Sequence, residues 1–388
     1  MIPKYAHKQV TDKRFHMSRR TLLKASAAAV ASFPLQGLGL RDGFAQDVAS
    51  ELRWLEYSHI EKPYFTDPFV EETKIKLVLG AISNDDTTLA TLKGGGTKDW
   101  DVFHMGDMKN HPILVKDGLV QAIDYSKIPN TAKILPVFQD FIDKRIKGSD
   151  GKIYGMPNRW GVDTLGYRTD KMDAPTTMKA LFDQKYAGKI AMPDYALYSV
   201  IYGAQYLDYP RGDYYRLSSK QLEEIKKVLL DQKKILKAYW LSDADLINMV
   251  TSGEVWLAGA TWAGTVATMN ENNVPFKRVV PQEPGFGFIN IAYISADSPP
   301  PSVEAAYKFL NYMIGPVMGQ RLGEQGRYAT VTTLGQENLP QAIKEQVFLT
   351  YVDKLDTLVE FMISPTDPDS GELNYDQWVK IWNEVKAS

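Results

Sequence analysis

Residues 153–168, reading Ile-Tyr-Gly-Met-Pro-Asn-Arg-Trp-Gly-Val-Asp-Thr-Leu-Gly-Tyr-Arg, constrain the fold more than any other stretch of the chain. They read as a strand, a bend at Pro157 and a second strand, with Trp160 at the joint and the turn pair Asp150-Gly151 as the entrance. One run of strand and helix patterns precedes this stretch and another follows it. It is therefore expected to be a hinge between two α/β lobes, whose cleft is where a small molecule would bind.

On the first side, strands are expected at Glu51–Tyr57, Lys74–Leu79 and Asp101–His104. Helices are expected around Pro68–Glu72, Asp85–Lys93 and His111–Lys116, with an edge segment at Val120–Ile123. That alternation predicts a parallel or mixed sheet covered by helices. It restarts after the hinge with a helix over Pro175–Tyr186, a strand over Lys189–Met192 and a helix over Ala196–Tyr206. Ser218 with Gln221 has the spacing of a capping box ahead of a helix whose Leu222, Ile225, Leu229 and Leu236 share a face. Ser242 with Asp245 starts the next helix, Gly253 ends it, and Val255–Ala260 is a buried strand running into Trp262. Two more strands are expected at Phe276–Pro281 and Asn290–Ile294, the second returning across the hinge. Helices follow at Ser302–Met313 and Pro316–Glu324, and Trp378, Ile381, Trp382 and Val385 repeat at helical spacing as a packing face.

The chain begins with a basic segment, Ser18-Arg19-Arg20-Thr21-Leu22-Leu23-Lys24, an Ala-rich stretch over residues 25–31 and a weakly apolar run to Leu40. This resembles a twin-arginine export signal, with Gly43-Phe44-Ala45 as the cleavage site before Gln46. Pro34 and Gln36 spoil a membrane span of about 20 apolar residues. Residues 46–388 carry 37 basic and 45 acidic side chains, a formal charge of −8, which argues against nucleic acid and anionic membrane as partners. The chain has no cysteine, so disulfides, thiolate metal sites, a thiol nucleophile and an acyl-cysteine anchor are all excluded.

Other chemistry finds little support. Gly94-Gly95-Gly96 follows a helix and precedes a strand, the reverse of a phosphate loop, and no Gly-Lys-Ser/Thr comes after it. His7, His16, His59, His104 and His111 show no metal-ligand spacing. The pair Tyr214-Tyr215 follows Arg211-Gly212-Asp213 in a polar segment and is expected in a surface loop. No Gly-x-Ser-x-Gly elbow is present. Neither a catalytic residue, a metal nor a cofactor is expected.

Three groups of segments together resemble the spermidine/putrescine-binding family of periplasmic receptors for ABC importers. They are Trp54-Leu55-Glu56-Tyr57 with Gly118-Leu119-Val120-Gln121-Ala122-Ile123-Asp124; Gly253-Glu254-Val255 through Thr261-Trp262-Ala263-Gly264; and Ala305-Ala306-Tyr307-Lys308-Phe309-Leu310-Asn311, Pro316 and Gly326-Arg327-Tyr328. The resemblance implies a two-lobed α/β fold of the type II periplasmic-binding-protein kind, each lobe a mixed sheet flanked by helices. The expected organisation is a signal over 1–45, a first lobe over 46–157 and 290–337, and a second over 158–289 and 338–388. It also implies a monomer in the periplasm that takes up a small-molecule ligand and delivers it to an inner-membrane permease. The twin-arginine translocase would be its export partner.

Carried onto this chain, the resemblance implies binding positions at Trp54, Glu56, Tyr57, Trp262 and Tyr328, with Trp160 and Phe288 beside the cleft. Tyr195, Tyr198 and Asn290 stand where polyamine receptors place carboxylates. An ammonium buried opposite a missing carboxylate loses on the order of 3–5 kcal/mol. The expected ligand is therefore a small organic amine or amino-acid-like compound with one cationic centre and a flat or apolar body, zwitterionic if Arg159 reaches the cleft. Asp194 is a candidate substitute acid, and Arg159 reaches the cleft or forms a surface salt bridge. The rivals are a spermidine or putrescine receptor with shifted acids and a secreted enzyme on the same fold.

Overall fold

The computed structural model describes residues 48–388 apart from 58, 59, 61, 83, 84, 107–109 and 326. The twin-arginine signal and its cleavage site lie outside the described residues. Eleven strands are found among the rest: β1 Glu51–Tyr57, β2 Lys76–Ile82, β3 Val102–Met105, β4 Met156–Arg168, β5 Ile190–Pro193, β6 Leu236–Trp240, β7 Leu257–Thr261, β8 Phe276–Val279, β9 Gly285–Ile294, β10 Ala329–Thr330 and β11 Val359–Phe361. Their order is β2-β1-β3-β9-β4-β7-β5-β6, with β8 and β10 beside β4 and β11 beside β9. β1, β2 and β3 run parallel, as do β5, β6 and β7, while β4 and β9 lie antiparallel to each other between the two groups.

Two large hydrophobic cores, with a smaller third cluster around Leu246, Val250, Met269 and Phe276, account for the two-lobed form. The first gathers Leu52, Trp54, Phe69, Phe103, Phe138, Trp160 and Phe309; the second gathers Ile190, Met192, Val200, Leu222, Leu229, Trp378 and Trp382. β4 passes from the first core at Val162 to the second at Leu165, and β9 passes back between Phe286 and Ile289. The segment after residue 338 packs on the first core through Val347, Phe348, Leu355 and Val359, and passes to the second from Met362 and Ile363 onward into the final helix, Tyr375–Ala387.

The hinge is one continuous strand and not two. Its irregularity is a register shift between Pro157 and Arg159 against β9, where the proline's missing N–H is tolerated, and Ile153 makes only an isolated bridge to Lys147. Both capping boxes form: Ser218 N donates to Gln221 Oε1 at 2.9 Å and Ser242 N to Asp245 Oδ2 at 3.0 Å, and each serine hydroxyl accepts in return. The helix expected over Pro175–Tyr186 is instead two 3-10 turns, Met178–Phe182 and Gln184–Tyr186. Thr177 and Asp183 accept from backbone N–H groups two residues on, an alternative to the helical bond. Tyr214 and Tyr215 are not in a surface loop but packed in the second core, each 5% exposed.

Candidate functional site

A cavity of about 330 Å³ is lined by Tyr57, Asp85, Gly106, Tyr195, Tyr198, Asp243, Trp262, Phe288, Asn290, Tyr328 and Met362. Tyr57, Asp85 and Gly106 follow the carboxy ends of β1, β2 and β3. Tyr195, Asp243 and Trp262 follow those of β5, β6 and β7. The carboxy ends of parallel strands are where open α/β sheets bind ligands, because helices start there and leave a crevice. Phe288 and Asn290 come from the crossing strand β9, and Tyr328 from just before β10. Hollows of about 490, 700 and 750 Å³ occur elsewhere, but none collects these strand ends, so their greater size does not decide the matter.

Six aromatic side chains form the wall. The Trp262 and Tyr328 rings are 5.2 Å apart, Phe288 meets Tyr328 edge-on at 6.0 Å, and Tyr195 lies 5.4 Å from Tyr198. Two backbone glycines hold the ring positions. A Cβ at Gly264 would stand 2.1 Å from the Trp262 ring, and one at Gly161 would stand 2.3 Å from Phe288.

Two carboxylates enter this wall, one from each group of parallel strands. Asp243 Oδ2 accepts from Trp262 Nε1 and its Oδ1 from the Thr265 hydroxyl, both at 2.8 Å. Asp85 accepts from the Tyr57 hydroxyl and, at 3.0 Å, from Gly106 N. Burial, and then the Asp85 charge, push the Tyr57 phenol well above its ordinary range. Behind the wall the Tyr198 hydroxyl donates to Asp163, whose carboxyl burial raises to about 7 even though Tyr198 and Arg278 oppose the shift. Among the described residues, no basic side chain lines the cavity. Among the described residues, no group of three or more His, Cys, Asp or Glu could hold a metal ion.

The cavity thus brings together Tyr57, Tyr195, Tyr198, Trp262, Phe288, Asn290 and Tyr328 from the sequence expectations, and leaves three residues elsewhere. Trp54 is fully buried in the first core, 4.8 Å from the Phe309 ring, with its indole N–H on His104 Nδ1 at 3.0 Å. Trp160 is also fully buried, packed on Phe138 and donating to the Thr330 carbonyl. A tryptophan buries roughly 150–250 Å², about 4–6 kcal/mol at 25 cal/mol per Å², which favours leaving both rings in the core when the cleft opens.

Glu56 is committed to a partner within the chain. Arg159 grips it through two bonds, Nη1 to Oε2 at 3.0 Å and Nη2 to Oε1 at 2.8 Å, with both side chains fully buried. Burial is the largest influence and would raise the Glu56 carboxyl, but the Arg159 charge and hydrogen bonds, with His104 and the Tyr57 N–H, together outweigh it and hold the group below the usual range. Burial likewise lowers the guanidinium, and Glu56 reverses that. His104, 3.1 Å from Glu56 Oε2, is driven down to about 4 by burial and is neutral at physiological pH. Arg159 is accordingly neither a surface salt-bridge partner nor on the cavity wall. Asp194 turns away to accept from Trp382 Nε1 at 2.8 Å and to pair with Lys386 at 2.7 Å.

Asp85 and Asp243 were missing from the sequence expectations because an acid in the first turn of a helix is ordinary dipole chemistry. The signal available was position. Each comes directly after a parallel strand.

Comparison with known proteins gives the family and the fold. The family described as bacterial extracellular solute-binding protein matches residues 65–347, well over half of the chain. The spermidine/putrescine-binding periplasmic protein of Escherichia coli K12 is 24% identical over 319 residues, covering 80% of this chain and 83% of that protein. Among solved structures, the spermidine/putrescine substrate-binding protein PotD of Streptococcus pneumoniae superposes with a TM-score of 0.72 at 21% identity, covering 87% of this chain and 98% of its own. The binding protein MotA of A. tumefaciens B6, in complex with glucopine, superposes with a TM-score of 0.67 at 15% identity, covering 87% and 99%. These neighbours share a fold and bind chemically different solutes. The chain belongs to the family of bacterial extracellular solute-binding proteins.

Proposed function

We propose that this protein is the periplasmic receptor of an ABC importer for a small organic cation with one charged centre and an apolar or flat body. The observation that carries the reading is the cavity wall of six aromatic side chains and two carboxylates, with no basic group among the described lining residues. Aromatic faces attract ammonium by about 0.5–2 kcal/mol each, and a carboxylate adds a charge-assisted bond. Asp85 and Asp243 reach the ligand from opposite lobes, so a bound cation favours closure by contacts that the open form lacks. The closed form is what a permease would take up, and the receptor itself performs no chemistry.

A second reading, a diamine or polyamine, is favoured by the presence of two acids, Asp85 and Asp243, where the sequence led to an expectation of one matched acid, Glu56. Ligand carried through native purification and identified by mass spectrometry separates these readings. An unmodified monocation in amount equal to the protein supports the first and a diamine the second. A neutral or purely anionic ligand overturns both, and a converted product points to an enzyme. We also place the working compartment in the periplasm and the export route with the twin-arginine translocase, as a monomer. Replacing Arg19 and Arg20 together by Lys should leave full-length precursor in the cytoplasm, and a normal periplasmic yield would refute that route.

A further inference from the structure

We infer that Arg159 is a built-in cation that fills a second cation subsite behind the cavity wall and so limits the pocket to one ligand charge. Its guanidinium is boxed as a bound ligand would be. Glu56 holds it by two parallel bonds, the Tyr328 ring lies 5.4 Å from its central carbon, and both charged side chains are fully buried. Tyr328 is at once a wall of the cavity and a wall of this box. Glu56 continues directly into Tyr57, and Arg159 sits opposite Asn290 in the sheet, both cavity residues. The guanidinium Nε has no hydrogen-bond partner. Removing the head group therefore leaves just one polar partner short, the Glu56 carboxylate, while the backbone of residue 159 stays paired to Asn290 and Thr330.

The specificity consequence rests on the reading of the cavity as a cation site. With Arg159 in place, a second ammonium extending toward Tyr328 finds Glu56 already neutralised and a positive charge in its path. With Arg159 shortened, the same carboxylate and ring offer an empty subsite of cation chemistry, deep enough to lengthen the ligand by one charged group.

The test is chemical rescue of Arg159→Ala, with methylguanidine as the probe, read by calorimetry and thermal melting. The variant should bind methylguanidine about tenfold or more tighter than the wild type does, and the double variant Glu56→Gln/Arg159→Ala should lose that gain. Relative to butylamine, 1,4-diaminobutane should gain about tenfold or more in Arg159→Ala. A folded variant with neither gain overturns the inference. Should Arg159→Ala be unfolded alone, it should recover a cooperative melt in methylguanidine and not in equal tetramethylammonium; no recovery overturns the inference equally. The two readings fail separately. Methylguanidine rescue without any cation binding by the wild type would remove the proposed ligand class and leave this subsite standing.

Discussion

Replacing Asp243 by Asn removes a charge from the cavity while keeping the local geometry. The amide oxygen can accept from Trp262 Nε1, and the amide nitrogen can donate to the Thr265 hydroxyl, which rotates to accept; the two 2.8 Å contacts of the carboxylate survive in kind. The loss is confined to the ligand. A hydrogen bond to an ionised partner contributes about 1.5–3 kcal/mol against about 0.5–1.5 for a neutral one. Because Asp243 is half-exposed, solvent screening keeps the net loss toward the lower part of that range, about 1–2 kcal/mol. This corresponds to roughly a 5- to 30-fold weaker dissociation constant. Calorimetric titration of Asp243→Asn with the recovered cation and with its neutral isostere should show that drop for the cation alone, at an unchanged melting temperature. A loss of less than about twofold, or an equal loss for both ligands, would refute the assignment of Asp243 as a cation partner.

Two further outcomes concern the groups behind the wall. Glu56→Gln leaves the buried Arg159 guanidinium without its counter-charge and should destabilise the fold by about 3–5 kcal/mol. Glu56→Gln/Arg159→Met should recover most of that loss in denaturant unfolding, because a neutral pair of similar volume leaves no uncompensated buried charge. Asp163 titrates near 7 in the folded protein against an ordinary 3.8, with burial as the leading cause. Its protonated form is thus favoured by folding, so its contribution is full below the ordinary value, declines as pH rises through the window to about 7, and is flat above. Thermal melting against pH should show that slope in the wild type, and Asp163→Asn should remove it; an unaltered slope would exclude Asp163 as its source.

Elements whose signal is local were legible in the sequence. β1 was expected at Glu51–Tyr57 and forms there, the helices Asp85–Lys93 and Pro316–Glu324 occupy their expected spans, and both serine capping boxes close. Each of these depends on propensity and spacing within a dozen residues. The 175–186 segment was not legible, because Thr177 and Asp183 offered the backbone side-chain partners that compete with a helix. The site was half legible. In the cavity wall Tyr57, Trp262 and Tyr328 came from matched positions, and Tyr195, Tyr198 and Phe288 from departures at or beside expected carboxylates, whereas the pairing of Glu56 with Arg159 spans 103 residues and depends on which faces of β1 and β4 meet across β3 and β9. Trp54 and Trp160 illustrate the same limit, since a tryptophan within a strand is written identically whether it faces a cleft or a core.

The central claim, that this receptor takes a cation carrying one charge, is tested most directly by titrating the purified protein with a matched set. Butylamine and a trimethylammonium compound represent one charge, 1,4-diaminobutane and spermidine represent more, and butanol and butyrate represent none and the opposite sign. Heat and a raised melting temperature are expected with the single-charge compounds, weak or no response to the polyamines while Arg159 is intact, and none to the alcohol or the acid. Micromolar or tighter binding of spermidine, or binding of butyrate with no cation bound, would contradict it.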